Sequence, residues 1–376
     1  MSAYERAVVY FSTVLITATM YAPQPIAPLL GQVLGVSSAS VALFITAIMA
    51  PLAISALFYG YFLEKFSITR TLIFAFFALG ILQFGFAFSH NYTIMLNIRG
   101  IQGLFIPAAM TGLMSYISSR LNGVALAQGI GVYIGMTIIG GFLGRLLSGW
   151  LSDIYGYELF MSVLAFLLLL SSIFLSTLDK IAIKHKRELR LSDILSVLLK
   201  RTNLYAYICI FCLFFSFLAI LSFAPFELTN RAGGYSGLKN GVLYVGFLLG
   251  VFISFFSSWF LNLLGGVSRV LWVVAMLFML GLLLCFFDGF ALLLSGMIVI
   301  CAANFLAHSI LSGFVASFNE KKAIASGLYV SFYYAGGVFG SFVPAFAYEY
   351  GWGVFLLFLA FVCLVGLGFG VRLKDA

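Results

Sequence analysis

Charge is what this chain has least of. Only 9% of its 376 residues are Asp, Glu, Lys or Arg, where soluble domains carry roughly a quarter. Beside 63% hydrophobic residues, that scarcity excludes a soluble globular protein. Acid is scarcer than base, with 12 acidic residues against 20 basic. No Asp or Glu lies in the middle of any apolar run of the first half, which disfavours a cation site built there on a buried carboxylate. Of the five cysteines, Cys209 and Cys212 form a C-x-x-C inside an apolar stretch. With no charge nearby to depress a thiol pKa, they are expected to be inert packing residues. Histidine is rare too: His90 and His185 fall in loops, and His308 has no acid within a helical turn or two. A membrane-embedded enzyme would need a convergent polar cluster, and none is visible. No metal and no cofactor are expected.

What the chain has instead is a series of uninterrupted apolar runs of roughly 20 residues, long enough to cross a hydrocarbon core of about 30 Å. In lipid every backbone polar group must be paired internally, so such runs are helices or a closed barrel, and the alternation of a barrel is absent. The first run is too long for a signal-peptide core and lacks a small-residue cleavage site, so it is expected to remain as a helix. Breakers between the runs predict an all-α polytopic protein with twelve spans near 7–30, 38–62, 68–88, 92–117, 124–150, 157–178, 203–229, 237–261, 268–287, 290–316, 322–348 and 352–371. An even count puts both termini on one side. That side receives Arg6, Lys65, Arg70, Arg120, Arg269, Lys321, Lys322, Arg372 and Lys374. The central loop adds Lys180, Lys184, Lys186, Arg187, Arg190, Lys200 and Arg201, so sixteen of the 20 basic residues share one face. By the positive-inside rule this is the cytoplasm of a bacterial cell with the chain in its inner membrane. The net charge of +8 therefore records topology and not nucleic-acid binding.

The chain also repeats itself. Tyr133 recurs as Tyr329, Gly140 and Gly141 as Gly336 and Gly337, Gly144 as Gly340, and Asp153 as Glu349. The spacing is about half the chain, which predicts two six-helix halves, 1–178 and 203–376, joined by a cytoplasmic linker over 179–202. Leu191, Ile194, Leu195, Leu198 and Leu199 give that linker an amphipathic helical pattern suited to the inner membrane surface. Duplicated membrane halves with a site between them are a common build of alternating-access carriers. The sequence has no Gly-x-x-x-x-Gly-Lys-Ser/Thr phosphate loop, so a stored ionic gradient is the expected energy source.

Three motifs carry a resemblance. Gly60-Tyr-Phe-Leu-Glu64-Lys65-Phe-Ser67-Ile-Thr-Arg70 follows the second span, Arg99-Gly-Ile-Gln102-Gly103 lies in the fourth, and Gly140-Gly141-Phe-Leu-Gly144-Arg145 lies in the fifth. Together they resemble the loop, helix-four and antiporter motifs of the major facilitator superfamily. Glu64 stands for the usual Asp, Ser67 for a Gly, Gly141 for a Pro and Arg145 for the last Gly. The fifth span and Tyr333-Tyr334-Ala-Gly336-Gly337-x-x-Gly340 are most similar to the arabinose-efflux-like branch of bacterial drug and sugar exporters. The resemblance implies a monomeric, proton-coupled exporter of a small organic solute. Import of an anionic or zwitterionic metabolite on the same fold stays open. Gly60, Glu64, Lys65 and Arg70 would form a latch between states, or a plain surface ion pair. Gly140, Gly141, Gly144, Gly336, Gly337 and Gly340 would let helices approach closely, either as pure packing or as the surface on which the halves move.

Intramembrane charge points to the site because it is costly. Arg99, about 12 Å inside the fourth span, is a candidate for contacting an anionic solute or for pairing with helix-end carbonyls. Gln102 shares its motif. Arg145 is a second candidate, or snorkels to Asp153. Glu227 is the one carboxylate near a membrane interior and so a candidate proton carrier, or an interface carboxylate facing water. His308 titrates near neutrality and shares a helix face with Asn304; the alternative is a packing role. Tyr21 and Gln24, among Pro23, Pro25 and Pro28, either line a cavity or cap a bent helix. Tyr333 and Tyr334 complete the solute candidates.

Overall fold

The computed structural model describes residues 1–55, 67–179 and 191–373. Among them the chain is almost wholly helical. In order come α1 (Ala3–Tyr21), α2 (Ala27–Leu34), α3 (Ser38–Ser55), α4 (Ile68–Phe88), α5 (Tyr92–Arg120), α6 (Gly123–Tyr155) and α7 (Tyr157–Ser176). After the linker helix α8 (Leu191–Leu198) follow α9 (Arg201–Arg231), α10 (Gly237–Val242), a 3₁₀ turn, α11 (Gly246–Phe255), α12 (Ser257–Leu264) and α13 (Val267–Phe286). The chain closes with α14 (Phe290–Phe318), α15 (Lys322–Phe342), α16 (Ala345–Glu349) and α17 (Trp352–Gly370). The tightest connections fall on glycines with positive φ, Gly156 at 80°, Gly289 at 115° and Gly351 at 109°, a conformation other residues rarely adopt.

Among the described residues ten helices are long and apolar enough to cross a membrane, or eleven if the sharply bent pair α2–α3 is one span. Helix α1 is not among the ten; Glu5, Arg6 and its threonines lower its hydropathy. Large apolar side chains such as Phe74, Phe77, Phe166, Trp272 and Phe361 are exposed on the outside of the bundle, where only lipid makes their exposure favourable. The chain is an integral membrane protein.

Three expected helices differ in detail, the span over 322–348 being divided into α15 and α16 at Pro344. The first, 7–30, is in fact two. Pro23, Pro25 and Pro28 supply no backbone N–H and break it after Tyr21; beyond Gly35, α2 and α3 meet with a bend of 119°. The run expected over 237–261 is divided among α10, the 3₁₀ turn, α11 and α12. Linker helix α8 is present, and Val197 is its buried apolar residue while Leu195 and Leu199 are exposed. Asp193 pairs with Lys321 at 2.7 Å, and the Val197 carbonyl accepts from Asn203. The basic stretch 180–190 lies outside the described residues.

The repeated glycines show the repeat in three dimensions. A side chain at Gly140 would strike Val14 and Thr17, and one at Gly144 would lie 2.5 Å from the Ala18 Cα. On α15, Gly336 and Gly340 press in the same way on Phe211 and Phe215 of α9. Positions 14 and 18 in one case and 211 and 215 in the other stand at the same offset to within a residue.

Candidate functional site

A cavity of about 470 Å³ lies between α1, α5 and α6 on one side and α11, α14 and α15 on the other. Thr17, Met20 and Tyr21 contribute from α1, and Gly131 to Gly141 from one face of α6. Phe247 and Ser254, then Phe305, His308, Ser309 and Ser312, then Tyr333 and Tyr334 close the circle. None of its lining residues carries a fixed charge. Along α6 it runs from Gly141 toward Gly131, that is, toward the end of the bundle that bears the termini and the linker.

The opposite, far end is sealed. Gly149 of α6 and Gly237 of α10 touch backbone to backbone, which no other residue pair would allow. Four residues on from Gly149, the Asp153 carboxylate accepts from the backbone N–H groups of Gly237 at 2.7 Å and Leu238 at 2.9 Å. Ser152 and Tyr235 join their hydroxyls beside it at 2.7 Å. Across the bundle, Thr46 of α3 meets Ser341 of α15 at 2.6 Å.

The two intramembrane arginines have different tasks. With proline at 23, the Thr19 carbonyl has no helical partner, and Gln24 turns its N–H to Tyr21 instead of Met20. Arg99 fills both places: its Nη1 donates to Thr19 at 3.0 Å and its Nη2 to Met20 at 2.7 Å. Nε donates to Phe44 at 3.3 Å, and Nη1 also to Gln102 at 3.0 Å. Gln102 passes the chain on to Gln83 at 2.9 Å. Gly103 lets α5 come this close, since a Cβ there would lie 2.8 Å from the Ala47 carbonyl. Fully buried and off the cavity lining, Arg99 and Gln102 tie helix ends together.

Arg145 sits beneath the closed end of the cavity. Its Nε donates to Gln24 Oε1 at 2.6 Å and its Nη1 to the Gly141 carbonyl at 2.9 Å. The guanidinium lies 3.9 Å from the centre of the Tyr21 ring, 4.5 Å from Phe247 and 4.8 Å from Tyr244. It does not reach Asp153, which is occupied at the far seal. Gln24 is buried beside it and off the cavity.

On the other wall, His308 Nδ1 is 3.1 Å from the Tyr329 hydroxyl, and its ring stands 4.5 Å from that of Tyr333. Tyr333 stacks on Phe214 at 3.6 Å. Asn304, one turn from His308, is buried with neither side-chain polar atom bonded and does not line the cavity.

The sequence and the fold have counterparts. The sequence profile of the Major Facilitator Superfamily matches residues 9–341. The chain belongs to that superfamily. An uncharacterized transporter of Buchnera aphidicola subsp. Schizaphis graminum is 25% identical over 365 residues, covering 94% of this chain and 87% of that protein. The uncharacterized MFS-type transporter YybF of Bacillus subtilis is 26% identical over 338 residues, with 88% and 83% covered. In three dimensions the chain is similar to the nucleoside transporter NupG in its D323A form, with a TM-score of 0.85, 14% identity, and 99% and 100% of the chains covered. At that identity the likeness shows the fold alone. Superfamily membership and these relatives make the chain a transporter and not an enzyme.

Among the superfamily motifs, Gly60, Glu64 and Lys65 lie outside the described residues, and Arg70 is exposed in the first turn of α4. The antiporter-like glycines Gly140 and Gly144 face α1, and Gly336 and Gly340 face α9. The first pair packs two helices of the first half of the chain and the second pair two helices of the second half. Gly337 meets Phe214 and Leu218 of α9, whereas Gly141 opens on the cavity. Glu227 does not line the cavity. It is held at 2.7 Å by Arg231, one turn on, at the far rim of α9. Sequence reasoning missed Thr17, Ser309 and Ser312, although small hydroxyls on otherwise apolar helices are a visible sign of a cavity face.

Proposed function

We propose that the chain is a proton-coupled carrier that exports a small organic solute by alternating access. It would act as a monomer in the bacterial inner membrane, with both termini and the 179–202 linker in the cytoplasm and two six-helix halves on either side of it. The observation that carries this reading is the cavity at mid-depth, sealed at the far end by Asp153, Gly149–Gly237 and Thr46–Ser341. A site closed on one side, with bonds there that rocking can exchange, is the physical requirement of alternating access. Arg120, Arg201, Arg269, Lys321 and Arg372 lie at the end that carries the termini, which supports a cytoplasmic assignment for that end. An exporter loads from there.

His308 supports proton coupling. It is the wall residue whose ordinary titration lies near neutrality, and Tyr329 and Tyr333 of α15 are the titratable groups against it. Protonation there adds a charge to a cavity lined by no fixed one, which biases the two states differently. The likeness of α6 and α15 to the arabinose-efflux-like branch supports the outward direction. Comparing small molecules in medium and cells with and without the protein identifies the solute. In proteoliposomes an imposed pH gradient should then drive it uphill, and His308→Gln should lose that response while keeping exchange without a gradient. Sodium-dependent, pH-insensitive movement would overturn the coupling, and proton-driven accumulation inside cells would establish import instead.

A further inference from the structure

Arg145 is a buried cation without a counter-charge. Only 1% of it is exposed, and no described carboxylate stands within ion-pair distance of it. Its surroundings are rings, one amide and one carbonyl. The amide compounds the imbalance: Gln24 turns its oxygen to Arg145, and its Nε2 is left buried with no acceptor. A guanidinium and an amide NH₂ side by side are donors in need of an acceptor, and an unpaired charge at this depth is costly.

The chain opens one route to this cluster. Gly141 lines the cavity, and the place where its side chain would begin is 3.3 Å from Arg145 Nη1 and 3.3 Å from the Tyr21 ring. An oxygen entering from the cavity at that place meets the guanidinium. Behind it the walls are Tyr21, Phe247, Phe305, Tyr333 and Tyr334, with room for a bicyclic body in about 470 Å³. We infer that the cavity binds an organic monoanion, an aromatic carboxylate whose charged head docks at Gly141 against Arg145 while its ring lies among these aromatics. The inference rests on the carrier reading for its purpose, and binding is measured apart from transport. The carboxylate supplies the missing counter-charge and needs no second cation, so one arginine suffices. The rings take the flat apolar body by stacking.

The probes are 1-naphthoate, the neutral 1-naphthamide and the cationic 1-naphthylmethylamine, each titrated against the full chain in nanodiscs. Binding is read by calorimetry and by the rise in unfolding temperature. Naphthoate is expected to bind about tenfold more tightly than the amide, the range of one charged hydrogen bond, and the amine more weakly than either. Arg145→Gln should level carboxylate and amide. Gly141→Ala, a single methyl at the docking point, should do the same while leaving the fold intact, so the test stands if the arginine variant does not fold. Equal or weaker binding of naphthoate by the wild-type chain, no binding of it, or a carboxylate preference that survives in Gly141→Ala would overturn the inference. Because binding needs no gradient, naphthoate binding without pH-driven transport would overturn the proton coupling alone.

Discussion

At the residue scale, two arginines that look alike in the sequence part company. Each stands alone in an apolar helix, and nothing in spacing separates them. What separates them is the state of the carbonyls around them. Pro23 strips Thr19 of its partner, and Arg99 is drawn in to replace it. Arg99→Gln should therefore lower stability, because three buried carbonyls lose a charged donor at roughly 1–3 kcal/mol each. The folded fraction in detergent and its unfolding temperature should drop, while solute affinity per folded molecule stays within about twofold. A selective loss of affinity with unchanged stability would return Arg99 to the binding site. The proline signal was legible in the sequence; the approach of α5 that exploits it was not. Glu227 shows the reverse. Arg231, four residues on, is spaced for a helical ion pair with it, and that spacing is legible in the sequence alone. Tyr21, His308, Tyr333 and Tyr334 do line the cavity, because polar groups on otherwise apolar helices have few other places to go.

At the element scale, the apolar runs fixed most helices to within a few residues, since a run long enough for lipid has one way to satisfy its backbone. The misses were at breaks, where tertiary contacts decide. The glycine repeat was legible as close packing, but not which helix is approached. With Ala18 Cα at 2.5 Å from the position a side chain at 144 would take, Gly144→Leu leaves no space for α1. Gly340→Leu meets the α9 backbone in the same way. Both should lose folded protein outright, beyond the 1–3 kcal/mol of ordinary overpacking, whereas Gly135→Ala, with open space around it, should fold normally. Size-exclusion profiles of the three variants check this. Gly144→Leu or Gly340→Leu that folds well but does not transport would restore these glycines to a moving surface.

At the scale of the whole molecule, topology and the working cycle are at issue. Asp288, whose side chain is 95% exposed, and Glu349 lie at the far end. Single cysteines there should react with an impermeant thiol reagent added outside cells, and cysteines at 185 and 320 should not. Strong external labelling at 185 would invert the orientation. An anionic cargo fits that orientation, since an inside-negative potential favours its exit by about 2.3 kcal/mol per charge for each 100 mV. Each full cycle requires the far seal to open once, when the site faces outward. Thr46 and Ser341 touch across that seal at 2.6 Å, close enough for a disulfide once both are cysteine. The most direct measurement is solute transport by the Thr46→Cys, Ser341→Cys chain, with the native cysteines replaced, before oxidation, after oxidation and after reduction. The account predicts loss of transport in proportion to cross-linking and recovery with reductant. Transport at the uncross-linked rate by fully cross-linked protein would contradict it.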